Sequence, residues 1–297
     1  MDKKTVLSEK NVKQVAVRQK ITKIIVQSAL YLFLGFMAAI IIFPFYWMII
    51  SSLKTLTEYN GRFPTFFPHE VVWYNYVESF KVGELGRLFF NTVYVGIVST
   101  ILSLIITVLS AFAFARLEFK GKNVLFAAML ATMMIPGELF TITNFITVIK
   151  LDWYQNGYTV LIVPFLVSIF YIYLLRQSFM QIPNELYLAA KVDGTKDIKY
   201  LWKVMIPLAL PNIISITILK MMGSWNSYMW PQLVADKDHL LITNGIRGAS
   251  FINDATNQAE IPLQMAAVTV VSIPLFLVFI VLRKYIMKGV SRSGIKG

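Results

Sequence analysis

Residue types and spacing concentrate in one stretch, Gln181-Ile182-Pro183-Asn184-Glu185-Leu186-Tyr187-Leu188-Ala189-Ala190-Lys191-Val192-Asp193-Gly194. The chemistry it offers is recognition rather than bond-making. Pro183 ends a preceding helix. Asn184 is placed to N-cap a new one, and Glu185 falls in the first turn, where the helix dipole favours an acid. Leu186, Ala189, Ala190 and Asp193 recur at spacings of three and four and so share one face. Gly194 supplies a left-handed stop. Thr195 is then placed to cap a second short helix with Asp197 in its first turn. Two alanine side chains let another backbone approach closely. On pattern alone the segment is either a docking element or a linker that happens to be helical.

Bond-making chemistry finds little support elsewhere. There is no cysteine, and the two histidines are His69 and His239. Ser51-Ser52-Leu53-Lys54 matches S-x-x-K, but the S-D-N and K-T-G elements that complete that nucleophile set are missing. Asp236-Lys237-Asp238 beside His239 is an incomplete oxygen cage, so no metal site is expected. No G-x-x-x-x-G-K-[ST] occurs to cradle nucleotide phosphates. The chain is expected to be no enzyme and to carry no cofactor.

The elements that must position the 181–194 segment belong in a bilayer. Of 297 residues, 57% are hydrophobic and 15% charged, against roughly 45–50% and about 25% in soluble domains. An ordinary soluble enzyme is excluded, and so is disorder, which needs low hydrophobicity and high charge. Ile24–Leu53, Leu88–Ala115, Trp153–Leu175 and Ile261–Leu282 contain no Asp, Glu, Lys or Arg. Asn123–Ile149 carries one charge, Glu138, and Val204–Ala235 one, Lys220. A crossing takes about 20 apolar residues, so the fold is expected to be all-α with six transmembrane helices, near 27–50, 91–115, 124–147, 156–177, 204–223 and 262–283. The first is too long for the apolar core of a signal peptide, and no small-residue cleavage site follows.

Segments 1–23, 116–122, 176–203 and 283–297 share one side and hold 20 of the 28 Lys and Arg. The positive-inside rule puts them, with both termini, in the cytoplasm. This scatter is not the basic face that nucleic-acid binding needs. Glu138 lies past the midplane of its span, beside Pro136-Gly137, as an interfacial or pathway-lining carboxylate. Trp225, Asn226, Tyr228 and Trp230 mix stacking faces with an amide where the fifth span opens outward. They line an external gate or brace the outer loop.

The 183–194 stretch resembles the EAA loop of ABC importer permeases, specifically carbohydrate permeases similar to the smaller membrane subunit of the maltose transporter. That family's pattern runs roughly P-x-E-L-x-E-A-A-x-x-D-G-A, later followed by I-x-L-P. Pro183, Glu185, Leu186, Ala189, Ala190, Asp193 and Gly194 match, and Val204 to Pro207 fits the second part conservatively. Leu188 stands where the naming glutamate is usual and Thr195 where Ala is. Pro44-Phe45-Tyr46-Trp47, Asn91-Thr92, Ala113-Phe114-Ala115-Arg116, Trp225-Asn226, Trp230-Pro231 and the tail from Lys288-Gly289 to Gly294-Ile295-Lys296-Gly297 continue the likeness in order along the chain.

The resemblance implies a type I ABC importer permease fold. A coupling helix between helices 4 and 5 would seat in an ATPase subunit through Glu185, Leu186, Ala189, Ala190, Asp193, Gly194 and Pro207. The tail would contact the ATPases through Gly294, Lys296 and Gly297. The implied domains are a basic arm over 1–23, a permease domain over 24–287 with its loop at 178–203, and a tail over 288–297. The implied assembly adds a second homologous permease, two ATPase subunits holding ATP and Mg, and an extracytoplasmic sugar-binding protein, in a bacterial plasma (inner) membrane. The implied cargo is sugars or oligosaccharides. A gradient-driven carrier is the alternative, disfavoured because buried acids near the midplane are nearly absent. A permease for another polar solute is a further one.

Overall fold

The computed structural model describes residues 3–247, 251–253 and 257–291. Helix dominates them, with one short antiparallel ladder, β1 (Ile252–Asn253) against β2 (Gln258–Ala259). Helix α1 runs Lys3–Ser52; the basic arm expected at 1–23 therefore continues the first span as helix from Lys3. Short helices α2 (Leu56–Tyr59) and α3 (Tyr74–Val82) build the following loop, and α4 (Leu85–Arg116) crosses next. Then come α5 (Lys122–Thr132), α6 (Leu139–Lys150), α7 (Thr159–Ile162) with a 3-10 turn to Phe165, and α8 (Ile169–Met180). The chain ends with α9 (Asn184–Val192), α10 (Asp197–Tyr200), α11 (Ile206–Trp225), α12 (Met229–Val234), α13 (Ile242–Arg247) and α14 (Ile261–Ser291).

Among the described residues four helical stretches are long and apolar enough to cross a membrane: Gln19–Ser52, Leu85–Arg116, Asp197–Trp225 and Ile261–Val281. A fifth is reached by counting Thr159–Phe165 and Ile169–Met180 together, which meet at 46°. Pro164 sits in the 3-10 turn before that bend, and Ser168 opens α8 by accepting the Tyr171 N–H. The continuous helix expected over 124–147 is instead two pieces, α5 and α6. Pro136 explains the break: it lacks an N–H, and its ring would strike the carbonyl four residues back, at Thr132, where α5 stops. Leu201–Met205 is wound as a wider π-helix just ahead of Pro207 and Pro211, so Asp197–Trp225 is one continuous rod.

Helix α4 is the hub, packed against both α8 and α11. Between large apolar residues at its two ends, Leu88 and Phe112 among them, its buried residues include a run of small and polar ones: Asn91, Thr92, Gly96, Ser99, Thr100, Ser103, Thr107 and Ala111. Small residues at these spacings let helix backbones close up, the usual basis of packing in lipid. At Gly96 a Cβ would stand 3.3 Å from Met221 of α11, so the close approach depends on the missing side chain. Helix α1, by contrast, leans on α14, with Phe45 edge-on to Phe276 at 5.5 Å.

Candidate functional site

The segment after α8 folds as local rules dictate, with two corrections. Pro183, not Asn184, occupies the N-cap position of α9, and Asn184 is its first residue. Lys196 rather than Thr195 precedes α10, leaving Asp197 in the first turn. The stop is as read: Gly194 has φ +68°, the left-handed region. Gly194 N–H donates to Lys191 O at 3.0 Å and Thr195 N–H to Ala190 O at 2.8 Å. Those two bonds are the Schellman closure, which satisfies the last carbonyls of the helix.

No residue of α9 is buried. Leu186 is 44% exposed and Val192 89%; Glu185, Ala189, Asp193 and Gly194 are exposed beside them. Ala190, expected on the same outward face, turns inward with Tyr187 against the core formed by Leu175, Phe179, Tyr200, Leu201 and Met205. Tyr187 Oη donates to Asp197 Oδ1 at 2.8 Å, and Lys191 Nζ lies 2.7 Å from the same oxygen. Burial, then the hydrogen bond to Asp197, pushes the Tyr187 phenol up; the same carboxylate raises Lys191. These contacts pin α9 to α10. Pro207 lies within the continuous rod, where the π-wound Leu201–Met205 stretch passes into α11.

Sequence reasoning missed the platform beneath. Arg116, the last residue of α4, is 7% exposed and donates from Nη2 to the carbonyls of Phe179 at 2.9 Å and Ile182 at 2.5 Å. Reciprocally, Arg176 of α8 donates Nε–H to Phe114 O near the end of α4 at 3.1 Å and lays its guanidinium over Phe126 at 4.1 Å. Each arginine thus satisfies carbonyls at the end of the other helix, where cations are favoured. The available signal was an arginine at the inner end of each apolar run.

The outer candidates do not gather into one patch. Trp225 is buried with Leu85, Leu88 and Phe251, edge-on to Phe89. Trp230 is buried in a separate cluster with Val95 and Val160, and its indole donates to Val160 O at 2.9 Å. Asn226 is exposed and bonds back to Met222 O, while Tyr228 takes the Arg247 guanidinium over its ring at 4.7 Å. Both tryptophans are packed into buried clusters. Glu138 is exposed at the start of α6 and makes no capping bond. Among the described residues no group of three metal-ligating side chains forms. Gly294, Lys296 and Gly297 lie outside the described residues.

A second polar cluster binds residues 238–242 and Tyr158 to α4. Asn91 Nδ2 donates to Asp238 O at 2.7 Å and Leu240 O at 3.0 Å, and its Oδ1 accepts from Tyr158 Oη at 2.7 Å. Thr92 Oγ1 accepts the Ile242 N–H at 2.8 Å. Arg87 reaches Asp238 Oδ1 at 2.8 Å.

Comparison with known proteins gives this geometry a setting. Residues 103–292 match the model of the binding-protein-dependent transport system inner membrane component. The chain is 32% identical over 266 residues to the arabinooligosaccharides transport system permease protein of Halalkalibacterium halodurans, covering 89% of this chain and 94% of that one. It is 27% identical to the diacetylchitobiose uptake system permease protein of Streptomyces coelicolor, over 86% and 84% of the two chains. In fold it is similar to a chain in the crystal structure of a bacterial ABC transporter involved in the import of the acidic polysaccharide alginate. The TM-score is 0.76 at 22% identity, over 86% of this chain and 94% of the other.

Proposed function

The chain belongs to the family of binding-protein-dependent transport system inner membrane components, and on that premise we propose that it is one permease of an ATP-driven importer of sugars or oligosaccharides. It pairs with a second, homologous permease to enclose the pathway. Two ATPase subunits, which hold ATP and Mg, bind its cytoplasmic face, and an extracytoplasmic binding protein delivers the cargo. In this reading the chain crosses a bacterial plasma membrane six times with both termini inside. Helix α1, α4, the α5–α6 pair, the bent α7–α8 pair, the Asp197–Trp225 rod and α14 supply the crossings. The break between α5 and α6, with Glu138 at its edge, then faces protein or the pathway, since irregular backbone is not tolerated against lipid.

The observation that carries the proposal is α9. It is a short helix with sharp ends, exposed along Leu186, Ala189 and Asp193 and fixed from beneath through Tyr187 and Ala190. Such an element accepts force from outside and passes it to α10 and the rod that begins there. ATPase closure would move α9, and the pathway would switch between inward- and outward-facing states. The tail through Gly294, Lys296 and Gly297 would extend to the ATPase pair.

The test is two substitutions. Gly194→Val forces a β-branched residue into a left-handed backbone, at about 1–2 kcal/mol. Ala189→Trp plants bulk on the exposed face. Both are expected to release the ATPase subunits on purification and to abolish uptake while the spans still insert. Wild-type uptake and full ATPase recovery in both variants would overturn coupling through α9.

A further inference from the structure

A cavity lies apart from α9. It occupies about 390 Å³ between α4, the α7–α8 bend, α11 and α12, within the roughly 300–1,000 Å³ range of small-molecule sites. Its wall includes Lys220, Ser168, Tyr171, Ser224, Ser227 and Trp230. Lys220 lies 14 positions into α11, so at about 1.5 Å per residue it sits some 21 Å along that helix. It is half-buried and donates from Nζ to Phe165 O at 2.6 Å. An ammonium has three donors; that carbonyl takes one.

No Asp or Glu lines the cavity, and among the described residues Lys220 has no ion pair. A cation within a span is costly and is retained where it meets a counter-charge or a polar path. This one stands among hydroxyls and aromatic rings, the groups that bind sugar hydroxyls and stack on sugar faces. The Phe165 carbonyl anchors the ammonium at the bend without neutralising it. A charge-assisted hydrogen bond from this ammonium to an anionic group would be stronger than any neutral contact the cavity wall offers.

From this we propose that the cavity is a cargo subsite in which Lys220 selects saccharides bearing a carboxylate or another acidic group. Lys220 is the specificity-determining residue of the subsite, and the serines and Tyr171 hold the ring. The proposal rests on the importer reading above and narrows its cargo class.

The full complex, with its permease partner, ATPases and binding protein, is reconstituted in vesicles. Uptake is measured with and without the binding protein, using tri-galacturonate and its carboxyl-reduced neutral counterpart. Wild-type complex is expected to prefer the acidic trisaccharide by roughly tenfold or more. Lys220→Met is expected to erase that preference with complex recovery intact, and Lys220→Arg to keep most of it. Equal transport of both sugars by wild type, or a Lys220→Met loss that is the same for both, would overturn the inference. The second result would make Lys220 a brace for the bend or the counter-ion of an acid on the partner permease. Transport of the neutral sugar alone overturns this inference and leaves the importer reading standing. Transport of neither, in a complex that hydrolyses ATP, likewise overturns this inference and leaves the importer reading to the α9 substitutions.

Discussion

Helix α4 is fastened at both ends through backbone carbonyls, but the two fastenings differ in kind. At its inner end Arg116 grips Phe179 O and Ile182 O, and Arg176 grips Phe114 O in return. The partners there are Phe179, in the last turn of α8, and Ile182, in the short link to α9, whose own N–H is bonded back to Phe179 O. At its outer end Asn91 grips Asp238 O and Leu240 O, which belong to a loop. One end is a clamped platform carrying an exposed short helix; the other is a strapped loop over packed tryptophans. A part that must relay a push needs the first arrangement, because a compliant seat would absorb the displacement. A part that must only be closed off needs no more than the second.

Breaking the inner clamp is therefore expected to have the largest effect. Arg116→Ala removes two charge-assisted bonds, each worth about 1.5–3 kcal/mol, and leaves two carbonyls without their donor. Uptake and ATPase recovery should both fall by roughly tenfold or more. Arg116→Lys should restore part of this, since both carbonyls are bonded to the one Nη2 and an ammonium has three donors to offer them, though from a different reach. A variant with unaltered ATPase recovery would show that α9 is held by the Tyr187, Asp197 and Lys191 contacts alone.

The same contrast decides what could be read from the chain beforehand. Helix α9 and its stop were legible because each determinant lies within about one turn of the helix end it sets: Pro183 and Glu185 at the start, the Gly194 closure at the end. The long apolar runs were legible from composition. Arg116 and Asn91 were not, since their partners stand at least 63 and 67 positions away and nothing local marks an arginine as a clamp. The break in the 124–147 run was half legible. Pro136-Gly137 was noticed, yet its carbonyl clash at Thr132 was not carried through to two helices. The inward turn of Ala190 required knowing that Tyr187, three positions earlier, would be held by Asp197. The Lys220 cavity needed four elements to meet, and hydropathy alone presented it as one stray charge.

An intermediate effect is expected from the outer strap. Asn91→Leu deprives two loop carbonyls and the Tyr158 phenol of their partner. An unpaired buried polar group costs about 1–3 kcal/mol. Thermal unfolding of the purified complex should move down by several degrees while ATPase recovery stays at the wild-type level. Loss of ATPase binding in this variant would break the comparison, because it would mean that α4 transmits disturbance along its whole length and that its two ends are one device.

The smallest expected effect lies farther out, in the loop between α1 and α3, and it sharpens the contrast by pH. Glu58 has a side chain only 8% exposed. Burial works to raise its pKa. The Thr65 hydroxyl and the His69 backbone N–H, followed by the charges of His69 and Lys54, outweigh burial and hold it below the ordinary carboxylate value. A depressed folded-state pKa contributes stability that is present above the unfolded value and lost as pH falls through the folded one. The loop should therefore loosen only on the acid side, below the ordinary carboxylate range. Glu58→Gln should be slightly less stable at neutral pH and should lack that acid-side change. Limited proteolysis of residues 56–73 against pH measures it, with cleavage near α9 as the internal control. An acid-side change that persists in Glu58→Gln would place its origin in another group, and a parallel change at α9 would tie the outer loop to the inner platform.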